Sequence, residues 1–87
     1  MVITFNELRA IKHSLPTGSV ARIAQELGIS EQTVRNYFGA KKIQDANEIP
    51  GWHYEPGPGG GVVHIEDETI LNLAKKIIEE HRAKATP

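Results

Sequence analysis

Val20–Phe38, reading VARIAQELGISEQTVRNYF, decides the fold of this 87-residue chain. Ala24 is small where two helices must approach closely. Gly28 follows the first of them, where a left-handed backbone is needed and only Gly adopts it without penalty. Ile23, Leu27, Ile29, Val34 and Tyr37 fall where apolar side chains hold two short helices at a steep crossing. Ser30 then caps the second helix, whose outer face is polar. The spacing predicts one helix from a Ser19 cap, with Val20, Ile23, Ala24 and Leu27 inward, a tight turn, and another over 30–38 that Gly39 stops.

Working outward, Thr4 and Glu7 make a capping box, with Ile3 and Leu8 placed as a hydrophobic staple around it. Phe5, Leu8, Ile11 and Leu15 repeat at helical spacing until Pro16 and Gly18 close the element. Three short helices in this order form a tri-helical core over 3–39. Beyond a connector from Gly39 to Gly51, Trp52–Glu55 and Val62–Ile65 read as two strands around Pro-Gly-Pro-Gly-Gly-Gly, a hairpin over 52–65. If Glu55 opposes Val62, the large residues Trp52, Tyr54, Val63 and Ile65 share one face, and His53, His64, Glu55 and Val62 the other. A one-residue slip would scatter them. A two-stranded hairpin is marginal alone, so its apolar face must pack on the helices.

Asp67 caps a final helix over 67–84, with Glu68 in its first turn. Ile70, Leu71, Leu73, Ala74, Ile77 and Ile78 spread over an arc of about 160°, at about 100° per residue. A helix packed on one small core needs only about a 100° stripe. The excess points to a second surface, and a homodimer built on Leu71, Leu73, Ala74, Ile77 and Ile78 is the expectation. The competing view is that this arc packs on both the hairpin and the tri-helical core of one chain. The expected whole is one domain over 1–87, mainly α with a small β-hairpin.

The helix 30–38 carries the chemistry. With Val34 at the centre of its buried side, Tyr37 and Phe38 flank it and Gln32 and Asn36 fall near the opposite pole, with Arg35 and Thr33 on the two sides. Gln and Asn can pair with both edge groups of adenine and Arg with those of guanine, while Thr can touch a thymine methyl or a phosphate. The helix start at Ser30 can receive a phosphate. Lys41 and Lys42, just past Gly39, are placed to clamp the adjacent backbone. The expected DNA-binding set is therefore Ser30, Gln32, Thr33, Arg35, Asn36, Lys41 and Lys42.

Residues 20–38 resemble the helix-turn-helix of bacterial and phage transcription regulators, and QTVRNYF is similar in style to the recognition helix of the lac-repressor-like group. With the connector and the WHYEPGPGGGVVHI hairpin added, the whole chain resembles small uncharacterised bacterial DNA-binding proteins with a winged helix-turn-helix layout. That resemblance implies sequence-specific binding of double-stranded DNA, as in transcription regulation, with helix 30–38 in the major groove. The hairpin tip has no Lys or Arg, unlike strongly DNA-binding winged domains.

Charge distribution matters more than the net value of −1. Residues 1–42 hold six Lys or Arg against three Asp or Glu, and residues 43–87 hold four against eight. Acidic bulk away from a duplex limits non-specific sticking without opposing a local basic face. No cysteine is present, which excludes disulfides and thiolate chemistry. Apolar runs are too short for a membrane span, and Glu7 and Arg9 come too early for a secretory signal, so a cytoplasmic location is expected. His53 and His64 would face each other, but two ligands rarely make a metal site. The glycines at 57 and 59–61 lack the Gly-Lys-Ser/Thr of a phosphate cradle. No catalytic elbow, cofactor, metal or small-molecule substrate is evident. Two alternatives stay open: a winged-helix module that binds protein, and the DNA-binding component of a recombination or plasmid-maintenance system.

Overall fold

The computed structural model describes residues 1–39 and 51–85. In chain order these form β1 (Val2–Thr4), α1 (Phe5–Ser14), α2 (Ser19–Leu27), α3 (Glu31–Tyr37), β2 (Trp52–Glu55), β3 (Val62–Ile65) and α4 (Thr69–Ala85). A 3-10 turn at Pro58–Gly60 joins β2 to β3. The architecture is mainly helical with a small antiparallel sheet. No helix among the described residues is long and apolar enough to cross a membrane.

α1 begins where the capping residues place it, with the Thr4 hydroxyl accepting from the Glu7 amide at 3.0 Å. α2 departs from expectation at its start. Gly18, at φ +86°, is the cap, and Ser19 lies inside the helix, buried, its hydroxyl donating to the Pro16 carbonyl at 2.6 Å. Ser19 is the first residue of the helix and the capping position belongs to Gly18, which has no side chain, so α2 has no side-chain cap. Gly28 closes α2 in the left-handed region at φ +66°. A Cβ there would meet nothing within 4 Å, so Gly28 is needed for its backbone and not for space. Asp67 accepts from the Thr69 amide at 2.9 Å as a cap would, but α4 starts at Thr69, so Glu68 precedes the helix.

The sheet has three strands, not two, in the order β1-β3-β2. The hairpin register is as expected, with Trp52 opposite Ile65, His53 opposite His64, Tyr54 opposite Val63 and Glu55 opposite Val62. β1 adds to the other edge of β3, placing Ile3 opposite Val63. Ile3 therefore joins the apolar face of Trp52, Val63 and Ile65, all buried, and β3 becomes the central strand.

The Gly/Pro-rich tip is held down. The Asn6 side chain donates to the Gly59 carbonyl at 2.6 Å, Tyr54 donates its hydroxyl to Gly60 at 2.8 Å, and the Phe5 amide donates to Gly61 at 3.0 Å. Phe5 and Tyr54 meet edge to face at 5.5 Å. These bonds fasten the tip to the start of α1, the end of that helix remote from Lys12.

α4 packs across both α1 and α2. Leu71, Ala74 and Ile77 are buried in the core of the single chain, and Ile70 and Leu73 pack against it partly buried. Three of the five residues expected at a dimer seam are thus already covered. The reason is that α4 serves two helices at once, which takes a wider apolar arc than one contact would. Arg22 of α2 and Glu80 of α4 close this packing at 3.0 Å, an ion pair that raises the arginine's pKa and lowers the carboxyl's, mainly through their side-chain hydrogen bond.

Candidate nucleic-acid interface

α3 is positioned from both ends. At its start the Ser30 hydroxyl accepts from the Thr33 amide at 3.0 Å and shares a hydrogen bond with the Thr33 hydroxyl at 2.8 Å. At its end the Trp52 indole donates to the Tyr37 carbonyl at 3.0 Å, and an Arg9 guanidinium N–H reaches the Gly39 carbonyl at 3.4 Å. Val34 and Tyr37 are buried, as is Phe38 just beyond, so one side of the helix is locked into the core.

The other side carries two pairs along the helix. Gln32 Nε2 donates to Asn36 Oδ1 at 2.8 Å, and Arg35 Nη2 to Glu31 Oε1 at 3.3 Å. Gln32, Arg35 and Glu31 are exposed and Asn36 is half-buried. Exposed i,i+4 pairs of this kind are worth only about 0.3–0.5 kcal/mol. They orient the amides and the guanidinium at rest, yet a base edge or a phosphate could displace them at little cost. Glu31, awkward beside phosphates, has a role here as the partner that holds Arg35.

Of the expected DNA-binding residues, Gln32, Arg35 and Asn36 come together on the outward side of α3. Thr33 does not join them; it is half-buried and its hydroxyl is turned to Ser30. Ser30 is likewise committed to capping. Lys41 and Lys42 lie outside the described residues.

Sequence reasoning missed Lys12. A cleft of about 290 Å³ runs between the end of α1, the start of α2 and α3, and both Lys12 and Arg35 line it, with Gly18 and Ser19 on its floor. α2 has no side-chain cap at this end, its Ser19 amide donates to the Pro16 carbonyl at 3.2 Å, and Glu31 lines the cleft with Arg35, so the cleft combines Lys12, the Arg35–Glu31 pair and the positive end of a nine-residue helix. That is the chemistry of a phosphate-oxygen site. The only signal in the sequence was a basic residue in the last turn of α1, and nothing linked it to Arg35, 23 positions on.

On the outer face of the sheet, His53 and His64 stand opposite each other with ring centroids 6.2 Å apart. His64 Nε2 is 3.4 Å from a Glu55 carboxylate oxygen without the geometry of a hydrogen bond. Among the described residues no group of three or more His, Cys, Asp or Glu is arranged to hold a metal. Compared with protein-family models, curated proteins and solved structures, the chain matches none.

Proposed function

We propose that this chain binds double-stranded DNA sequence-specifically, as a transcriptional regulator of winged helix-turn-helix layout, with α3 in the major groove. The observation that carries the reading is the pairing of α3's outward Gln32, Arg35 and Asn36 with the Lys12–Arg35 cleft at the start of α2. The first supplies groups that read base edges. The second supplies phosphate contacts that fix the register of α3 on the duplex. The cleft sets Lys12 and Arg35 against the single carboxylate of Glu31 on this face, while the acidic residues fall mostly in the second half of the chain.

The hairpin has no part in contact with the duplex in this reading. Its tip carries no cation and is fastened to the far end of α1. One seven-residue α3 reaches a single half-site, so two chains bind side by side on DNA, one helical turn apart.

Selection of bound sequences from a random duplex pool, followed by titrations at several salt concentrations, tests the proposal. Arg35→Ala should cost about 1–3 kcal/mol on the selected site and relax preference at one base pair. Lys12→Ala should instead weaken binding to all sequences alike and reduce the slope of log K against log salt by about 0.9. A folded protein that enriches no sequence, or whose affinity ignores both substitutions, would overturn the assignment.

A further inference from the structure

Gln32 and Asn36 lie one helical turn apart on the outward side of α3, and a hydrogen bond joins them. Gln32 Nε2 donates to Asn36 Oδ1 at 2.8 Å. Left apart, residues four positions along a helix are separated by about 6 Å. That is nearly two base-pair steps of about 3.4 Å each, so separate side chains would serve separate bases. The hydrogen bond brings the two amides within less than one step. They present a single unit to a groove.

The two members are not equal. A side-chain amide carries two N–H donors and one oxygen. Gln32 gives one N–H to Asn36 and keeps the other together with Oε1, the donor and acceptor that the edge of adenine requires. Gln32 is also the longer and more exposed of the two, while Asn36 is half-buried with its oxygen engaged by Gln32. An unbraced glutamine loses side-chain entropy when it is fixed on a base, and its amide is free to turn over. Asn36 opposes both. With the Gln32 amide turned over, Oε1 would face Asn36 Oδ1, acceptor against acceptor. The neighbouring polar groups are engaged elsewhere, Arg35 with Glu31 at 3.3 Å and the Thr33 hydroxyl with Ser30.

We propose that Gln32 reads one adenine with both edge groups, and that Asn36 acts on that same base pair as a positioning residue and reads no second one. This rests on the DNA-binding reading of α3 and narrows it: the outward pole of the helix specifies one base pair.

Selection from a random duplex pool, run in parallel on the parent chain, Gln32→Ala, Asn36→Ala, Asn36→Asp and the double alanine variant, tests this. The parent should favour adenine at one position by about 5- to 150-fold, the range for a bidentate contact. Gln32→Ala should abolish that preference. Asn36→Ala should weaken it several-fold at the same position and relax no other, and the double variant should match Gln32→Ala alone. Asn36→Asp keeps an oxygen for Gln32 to donate to, so adenine should stay preferred while the added carboxylate lowers affinity for all sequences alike. Thermal midpoints should stay near that of the parent, because neither side chain belongs to the core. Relaxation by Asn36→Ala at a different base pair from Gln32→Ala, or losses that add in the double variant, overturns the proposal and leaves the DNA-binding reading standing. So does an Asn36→Asp protein that loses its adenine as Asn36→Ala does. A parent chain that enriches no sequence overturns both.

Discussion

Gly28 and Gly39 both hold positive φ, yet they hold it for different reasons. At Gly28 a side chain would find open space, so substitution pays only for the left-handed backbone, at φ +66°. At Gly39, φ is +120° and a Cβ would lie 3.0 Å from the Arg9 guanidinium and 3.2 Å from the Phe5 ring. Gly28→Ala should therefore cost about 1–2 kcal/mol in a urea melt. Gly39→Ala should cost clearly more, since it also displaces the two side chains that meet the end of α3. Equal losses would show that the Phe5–Arg9 contact yields freely. Tyr37 makes a second prediction at this scale. Its folded-state pKa of about 12 lies above the ordinary 10, so the folded chain keeps a proton that the unfolded chain loses. Stability is then complete below pH 10 and falls between 10 and 12, by up to roughly 1.4 kcal/mol per pH unit. Thermal midpoints measured across that window should fall less steeply in Tyr37→Phe than in the parent chain.

The elements divide by how local their causes are. α1, α3 and the hairpin were legible in the sequence because each carries its own instructions: Thr4 and Ser30 cap through an amide three residues on, and strict alternation around the tip sets the register of β2 on β3. β1 was not legible. Val2–Thr4 is too short to show a two-residue period, and its partner strand lies some 60 residues away. Ile3 could be explained locally as half of a staple with Leu8, and that explanation concealed the strand. The two accounts differ in energy. A staple contact on an exposed helix start is worth little, whereas Ile3 sits 6% exposed against Val63 in the core. Ile3→Ala should thus cost about 2–5 kcal/mol, the range for a large aliphatic cut to Ala in a packed interior. A loss of only a few tenths in chemical denaturation would return Ile3 to the staple. The candidate site was legible to the same degree and for the same reason. Gln32, Arg35 and Asn36 follow from helical spacing within one element. Lys12 belongs to the site only because the fold brings the end of α1 to the same cleft as the start of α2 and Arg35 of α3.

At the scale of the whole molecule, the sequence suggests more apolar surface on α4 than one chain could cover, and the packing removes that excess. A helix with one contact needs only a narrow apolar stripe. α4 instead lies across α1 and α2 together, burying Leu71, Ala74 and Ile77 and leaving Ile78 half-covered at the margin. The large apolar residues left exposed among those described are Met1, at 43%, and Val2, at 58%, both on the β1 side of the sheet. A free chain should then scatter light with the mass of a monomer at tens of micromolar, and pairing should occur on a duplex carrying two half-sites. Ile78→Glu should leave the mass unchanged and the fold intact, because its side chain can turn outward at the edge of the α4 packing. Ala74→Leu, by contrast, should destabilise the chain by roughly 1–3 kcal/mol through overpacking between helices. A dimer in the free protein that Ile78→Glu dissociates would restore α4 as the seam. A dimer that survives Ile78→Glu but is lost in Val2→Lys would place the pairing on β1, where an open strand edge and the exposed valine meet.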